Sequence, residues 1–205
     1  METPISSYWD IALDSWIVQD GNYHDFSVGQ TAEFALTFWT LEGSNPPPSS
    51  DSVSARKLGG CRYRTIAEVV LKTTKVTVLD IGLWVYQQTS IAGPFSQESR
   101  LAVDLDIGVD PYFYFEELSK IPEVPPLIYS WKVRSILRQT APYVDAVAGE
   151  GFTTGRPTRM RDPQRLGYEN ILRTDAWNDD GGYAEYLLRC ELLPVAPKRI
   201  SARAL

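Results

Sequence analysis

The chain has 205 residues, of which 43% are hydrophobic and 22% are charged, a composition typical of a folded globular protein. Its formal net charge of −6 argues against a dedicated nucleic-acid-binding protein, whose surface field would be positive. Two cysteines and one histidine are too few for a disulfide scaffold or for a zinc site built from several Cys and His ligands. We therefore expect no metal and no cofactor.

The N-terminal segment lacks the features of a targeting sequence. Residues 1–5 contain neither the basic region nor the apolar region of a signal peptide. Nowhere does the chain contain the run of about eighteen apolar residues that predicts a membrane-spanning helix. We expect a soluble, cytoplasmic protein that does not bind a membrane.

Apolar and polar residues alternate along much of the chain, as in half-buried antiparallel strands. Residues 9–18 predict a long first strand with a bulge at Trp16, and residues 32–38 predict a second strand. Proline and serine are frequent in residues 43–60, and proline cannot donate to a sheet ladder. This segment is expected to be a mobile loop inside the domain.

The middle of the chain continues the pattern. Three further strands are predicted over residues 63–71, 76–86 (interrupted near Gly82) and 100–109. Asp110 followed by Pro111 is typical of a helix start, with a side-chain cap and proline at the first helical position. One short helix is therefore predicted over residues 111–120.

The last third mixes strands and loops. Aromatic and β-branched residues favour a strand over a helix for residues 127–140, and residues 145–165 show no periodicity, which predicts a long exposed loop. Asn, Asp and Gly at residues 178–182 predict the turn of a hairpin over residues 166–193. Residues 195–205 are expected to fray.

These elements predict an all-β fold with a minor helical part. About seven or eight antiparallel strands, one short helix and long loops indicate a single β-barrel domain over residues 1–205, with a β-sandwich as the second choice. The order of strands and helix is similar in topology to OB-like barrels. This is an analogy of topology, and the chain contains no family motif that extends it to particular residues.

Charge is unevenly distributed along the chain. No lysine or arginine precedes Arg56, whereas many Asp and Glu do. Arginines are concentrated late, and four of them stand in the predicted loop: Arg156, Arg159, Arg161 and Arg165. Guanidinium groups suit phosphate or carboxylate recognition, so these four are candidates for binding an anion or a partner. The alternative is that they are solvated or pair with the acidic part of the chain.

Asp104 and Asp106 form the second candidate site. Both lie on one face of a predicted strand, about 7 Å apart by strand rise, which is within the spacing of glycosidase carboxylates. The alternative is an ordinary solvated strand face.

Three functions are compatible with the sequence. The first is a non-enzymatic binding module that acts through surface contacts with a protein partner or with itself. The second is an OB-like protein that binds single-stranded nucleic acid or oligosaccharide by aromatic stacking, although the net charge disfavours nucleic acid. The third is a carboxylate-based hydrolase that uses Asp104 and Asp106.

Overall fold

The computed structural model describes residues 7–40, 46–88, 99–145, 159–162, 164–165 and 167–199. Thirteen strands occur in these ranges: β1 Tyr8–Asp14, β2 Thr31–Phe34, β3 Leu36–Thr40, β4 Ser54–Gly59, β5 Arg62–Lys72, β6 Val76–Asp80, β7 Trp84–Gln88, β8 Arg100–Val109, β9 Tyr129–Gln139, β10 Tyr143–Asp145, β11 Arg159–Arg161, β12 Tyr168–Ile171 and β13 Glu185–Leu192. The helices are α1 Ser15–Gln19 and α2 Phe113–Glu116, with 3₁₀ turns at Leu118–Lys120 and Asp179–Gly182. Within the described ranges, no helix has the length and apolar character needed to cross a membrane.

Five strands close into a barrel. β8 pairs antiparallel with β3 on one side and with β5 on the other, and β5, β6 and β7 are successive antiparallel neighbours. A parallel bridge between Thr37 in β3 and Tyr86 in β7 closes the ring. The predicted barrel is therefore confirmed. The prediction of seven or eight purely antiparallel strands is wrong, because the described residues form a mixed sheet of 11 strands and a separate two-stranded sheet.

The remaining strands extend the sheet from β8. β1 meets β8 in one parallel bridge, Ala12 to Gly108, and β13, β9 and β12 follow in that order. β2 pairs with β9, whereas β3 pairs with β8, and only Ala35 separates β2 from β3. The predicted second strand is therefore two strands. Its first half pairs with β9 and its second half pairs with β8, so the chain bends between them.

One hydrophobic core lies inside this curved sheet. The predicted alternation is confirmed on β1, β8 and β13, whose inward side chains are buried: Trp9, Ile11, Leu13, Leu101, Val103, Leu105, Ile107, Val109, Tyr186, Leu188 and Cys190. Removal of these apolar side chains from water is the main favourable contribution to folding. Cys190 is a buried free thiol.

A second, smaller core lies outside the barrel. The outward side chains of Val76, Val78 and Tyr86 on β6 and β7 are buried against the segment that follows β8. That segment contributes five buried side chains: Tyr114, Leu118, Val124, Leu127 and Ile128. Both faces of β6 and β7 are therefore covered by protein.

The structure corrects the predicted first strand. β1 ends at Asp14, and residues 15–19 form the short helix α1. The chain turns there because Ser15 bonds the returning chain twice, from its backbone N–H to Ala184 O at 2.9 Å and from Oγ to Gly182 O at 2.8 Å. Ile17 and Val18 are then buried in the core.

The predicted helix over residues 111–120 is confirmed only as two short pieces, α2 and a 3₁₀ turn. Tyr112 adopts a left-handed conformation, with φ of 76°, so the helix starts only at Phe113, and Glu117, with φ of −124°, separates the two pieces. The predicted cap at Asp110 with Pro111 as the first helical residue is wrong, because Tyr112 is the N-cap residue, although the buried Asp110 carboxylate accepts the backbone N–H of Tyr114 at 3.3 Å.

Three loop predictions also need correction. The predicted loop 43–60 contains β4, which pairs with β5, and residues 43–45 lie outside the described ranges. The predicted loop 145–165 contains β11, which pairs with β10, and residues 146–158 lie outside the described ranges. The predicted frayed tail 195–205 is paired at Lys198, which exchanges two backbone hydrogen bonds with Ile128; residues 200–205 lie outside the described ranges.

The predicted hairpin over residues 166–193 is wrong. β12 and β13 both pair with β9, on its two opposite edges. Ile136 in β9 is the partner of Ile171 in β12 and also of Leu188 in β13. The turn residues 178–182 do reverse the chain locally, but β9 lies between the two predicted arms of the hairpin.

Candidate functional site

A cleft with a volume of about 820 Å³ opens on the outer face of β1, β8 and β13. The turn between β4 and β5, residues 58–62, forms one wall, and Tyr168 at the start of β12 contributes to another. The cleft lies beside the single parallel bridge between β1 and β8, which joins Ala12 to Gly108. Its volume is in the range of small-ligand and peptide-side-chain sites.

Trp39 contributes aromatic surface to this cleft and depends on Gly108 for its position. A Cβ added at Gly108 would lie 2.9 Å from Cζ3 of Trp39 and 3.4 Å from the carbonyl oxygen of Ala12. The missing side chain therefore lets the indole pack across β8 toward β1. Trp39 is 41% exposed and Tyr168 is 47% exposed, so two aromatic side chains are available to a ligand.

Two carboxylates stand side by side in the cleft. Asp14 in β1 is the register partner of Glu185 in β13, and both line the cavity. Burial against protein raises the pKa of Asp14, partly offset by a hydrogen bond from Trp16 Nε1 at 3.2 Å. Burial is also the first cause that raises the pKa of Glu185; Arg161 opposes it, and the charge of Asp14 adds to it.

The structure places Asp104 and Asp106 in the same cleft, but each is paired with an arginine of β5. Asp106 accepts two hydrogen bonds of 2.8 Å from Arg62, and Asp104 accepts two of 2.9 Å from Arg64. The Arg64 fork holds the pKa of Asp104 below its usual range. Both carboxylates are therefore occupied within the protein.

The cleft is acidic overall. Its lining residues carry four carboxylates, those of Asp14, Asp104, Asp106 and Glu185, and one guanidinium, that of Arg62. Low-dielectric walls focus the field of such a group of charges toward a bound ligand. Asp104, Asp106 and Glu185 are each paired with an arginine, namely Arg64, Arg62 and Arg161, so the attraction of the cleft for a cation comes chiefly from Asp14.

Cys61 also lines the cleft. Burial, followed by the charge of Asp106, raises the pKa of this thiol to about 11. At neutral pH the group is a thiol rather than a thiolate, and the thiolate is the nucleophilic form. Cys61 is therefore a weak nucleophile at neutral pH.

The four candidate arginines are not brought together as one described group. Arg156 and the side chain of Arg159 lie outside the described parts of the structure. The Arg161 side chain is 9% exposed, forms salt bridges with Asp180 and Glu185, and lies 3.9 Å over the ring of Tyr143. Arg165 is 75% exposed and lies 3.5 Å from Asp162. Binding of an anion by this series stays a prediction, and for Arg161 the internal contacts argue against it.

Sequence reasoning singled out only Asp104 and Asp106 among the lining residues, and the functional candidates that it missed include Asp14, Glu185, Trp39 and Tyr168. Strand alternation already put Asp14 and Glu185 on outward faces, but only the pairing of β1 with β13 makes them neighbours. In the part of the chain that the structure describes, no group of three or more His, Cys, Asp and Glu is arranged to hold a metal ion.

Comparison of the chain with models of protein families, with curated proteins and with solved structures gives no significant match. The function is therefore argued from the geometry and charge of the cleft.

Proposed function

We propose that the protein is a non-enzymatic binding module whose acidic, aromatic cleft takes a cationic segment of a protein partner. Lysine and arginine side chains are attracted both to carboxylates and to the faces of aromatic rings. The cleft offers Asp14 and Glu185 as carboxylates beside the exposed rings of Trp39 and Tyr168.

The pairing of Asp14 with Glu185 is the observation that carries this proposal. Like charges directly opposite each other on adjacent strands are unfavourable, and the charge of Asp14 adds to the burial that raises the pKa of Glu185, although Arg161 opposes it, whereas burial is what raises the pKa of Asp14. Arg161 already forms a salt bridge with Glu185, whereas Asp14 has no ion pair among the described residues. A ligand ammonium or guanidinium beside Asp14 would supply that partner and would offset the effect of the Asp14 charge on Glu185.

A nucleic-acid-binding OB-like barrel is a weaker alternative. This alternative rests on an analogy of topology between OB-folds and the five-stranded barrel made by the meander β5–β6–β7 together with β8 and β3. OB-folds bind oligonucleotides chiefly on the face of the second and third meander strands. Here the corresponding strands are β6 and β7, and their outer face carries the second hydrophobic core. Together with the acidic cleft, this argues against binding of single-stranded nucleic acid.

A carboxylate-based hydrolase is the second candidate. It is favoured by one observation: the same cleft contains Asp14, with a raised pKa, and Asp104, with a lowered pKa. A carboxyl group with a raised pKa can act as a general acid, and a carboxylate with a lowered pKa can act as a general base. The binding role is preferred because both oxygens of Asp104 already accept hydrogen bonds from Arg64.

The test is a titration with a fluorescent peptide of alternating lysine and glycine, beside a control peptide in which glutamine replaces lysine. We expect the lysine peptide alone to bind, and to bind more weakly when salt rises from about 50 mM to about 300 mM, because screening increases. Asp14→Asn combined with Glu185→Gln should weaken binding at least about fivefold, or about 1 kcal/mol.

Glu68→Gln is the matched control variant. Glu68 pairs with Arg100 on the outside of the same barrel, so this variant also removes a carboxylate but leaves the cleft intact. Equal affinities for the cleft variant and the control would remove the proposal. Hydrolysis of aryl glycosides by the wild type, abolished in Asp14→Asn and retained in Glu68→Gln, would establish the second candidate instead.

A further inference from the structure

Strand β4 has a neighbour on one edge only. Among the described strands it is the last of the 11-stranded sheet, and it pairs only with β5. All of its residues except Ala55 are exposed, and residues 55–57 line a pocket of about 560 Å³ between β4 and the start of β1. The edge of β4 away from β5, here called the free edge, is therefore open. Such an edge is a template to which another extended chain can add.

The hydrogen bonds of β5 show which backbone groups of β4 point to the free edge. The N–H of Val69 donates to the carbonyl oxygen of Ser99 at 2.9 Å. The carbonyl oxygen of Cys61 accepts the N–H of Ile107 at 3.1 Å. Odd-numbered residues from 61 to 69 thus bond toward β8, because alternate residues of a strand direct their N–H and C=O to the same edge. Even-numbered residues such as Arg64 bond toward β4.

Ala55 and Lys57 consequently direct their backbone groups to the free edge. Arg56 is the register partner of Arg64, so its N–H and C=O belong to the ladder with β5. The residues on either side of Arg56 turn theirs the other way. The described loops and turns supply no partner for them.

The outer face of the free edge is cationic. Arg56 lies on the same face as Arg64, directly opposite it on the neighbouring strand. Arg64 is paired with Asp104 and is the first cause of the lowered pKa of that carboxyl group, to which Arg56 adds a smaller effect. Arg56 itself forms no salt bridge among the described residues. An exposed guanidinium is therefore available beside the free edge.

The other face of the free edge also carries excess positive charge. Lys57 is the register partner of Tyr63, so its side chain lies on the face opposite to that of Arg56. Lys57 pairs with Asp10, which also accepts hydrogen bonds from Arg189 at 2.9 and 3.2 Å. Two cations thus share one carboxylate, and the side chains of Lys57 and Arg189 remain 38% and 52% exposed.

We propose that the free edge of β4 binds an extended, acidic segment of a partner protein as an additional strand. Its main chain bonds the N–H and C=O groups of Ala55 and Lys57. Successive acidic side chains lie beside Arg56 on one face and beside Lys57 on the other, and opposite charges on adjacent strands are stabilising. The proposal does not depend on the acidic cleft, because its ligand has the opposite charge.

A second copy of the chain fits this edge less well. Antiparallel pairing of two β4 strands would bring Arg56 and Lys57 of one copy against the same cations of the other. Like charges across adjacent strands are unfavourable, and charged residues on an edge strand oppose self-association. An acidic strand meets no such repulsion.

The test is a titration of the full chain with a fluorescent peptide that repeats valine-glutamate-glutamate-threonine, beside a control peptide with glutamine in place of glutamate. Successive glutamates point to opposite faces of a strand, as Arg56 and Lys57 do. We expect the glutamine peptide to bind at least about fivefold more weakly. Arg56→Gln should weaken binding of the glutamate peptide about two- to fivefold. Arg165→Gln, which removes an arginine that is 75% exposed elsewhere, should leave it within about twofold.

Ala55→Pro tests the backbone contact, with Ala55→Val as the matched control. Proline removes the N–H that Ala55 directs to the free edge, and an edge strand tolerates proline where the N–H points away from its neighbour. We expect about tenfold weaker binding for Ala55→Pro. Ala55→Val retains the N–H and should bind as the wild type does. Urea unfolding of both variants checks that the fold is retained.

Amide hydrogen exchange of the wild type requires no variant. The bound peptide should slow exchange at Ala55 and Lys57 at least about tenfold, whereas Arg56, already bonded to β5, should change little. Absence of binding, equal binding of the two peptides, equal affinities of the two Ala55 variants, or unprotected Ala55 and Lys57 amides in the complex would overturn the proposal. Protection that rises with the concentration of the chain alone would overturn it too, and would assign the free edge to a second copy.

Discussion

Asp14 and Glu185 occupy directly opposite positions on the antiparallel strands β1 and β13, and both line the acidic cleft. Opposite positions on a sheet face bring side chains within about 5 Å of each other at Cβ. The charge of Asp14 there disfavours the ionised form of Glu185, against the opposing effect of Arg161. Such a local cost is common where a surface is shaped for a ligand.

We expect Asp14→Asn to stabilise the protein at pH 7 by about 0.5 kcal/mol, a value kept small because the residue retains exposed surface although protein packs around its carboxylate. Because the pKa of Asp14 is raised in the folded state, the folded protein binds more protons than the unfolded chain at pH values just above the ordinary pKa of aspartate. The free energy of unfolding therefore falls as pH rises through that range. The gain from Asp14→Asn should therefore disappear at about pH 3. Urea unfolding at the two pH values measures it, and an equal gain at both would contradict this account.

We expect the buried carboxyl group of Asp110 to cause a second pH dependence of stability. Its carboxylate is buried, accepts the Tyr86 hydroxyl and the Tyr114 N–H, and burial raises its pKa to about 7 from 3.8. The folded state holds the extra proton between these values, so wild-type stability should fall as pH rises from about 4 to about 7, by at most about 4 kcal/mol. Asp110→Asn should flatten that slope. An unchanged slope in chemical denaturation would show that Asp110 does not titrate in this range.

Gly108→Ala tests the contact that positions Trp39. The new Cβ would lie 2.9 Å from the indole, so the ring must shift, at a cost of about 1–3 kcal/mol. The shift should also weaken binding of the lysine peptide in the cleft. In a Trp39→Ala background the same substitution should cost much less, since the clashing ring is gone. Equal costs in the two backgrounds would mean that Trp39 does not constrain position 108.

Substitution of Arg161 and of Arg165 compares the contribution to stability of a buried, ion-paired arginine with that of an exposed one. Arg161→Gln removes the salt bridges to Asp180 and Glu185 and the contact with the Tyr143 ring, and we expect it to cost about 2–4 kcal/mol. Arg165→Gln should change stability by less than about 0.5 kcal/mol, because its side chain is 75% exposed. Thermal unfolding of both variants provides the comparison; equal effects would contradict the assignment.

The sequence alone determined the strand content and much of the buried face. The two-residue alternation identified β5, β8, β9 and β13, and it placed Leu101 and Cys190 inside, because side-chain direction along a strand is a local property. It also selected Asp104 and Asp106, which do line the cleft. Their arginine partners on β5 were not evident from sequence, because the β5–β8 register joins residues about forty positions apart.

Only the tertiary structure decided which strands are neighbours. Turn residues 178–182 predicted a hairpin, yet β9 lies between its two arms. The meeting of Asp14 with Glu185 and the approach of Trp39 to Gly108 likewise arise from pairings distant in sequence. Local patterns specify which way a side chain points, whereas the choice of strand partner depends on closing the whole barrel, so the candidate sites could not be derived from the chain taken piece by piece.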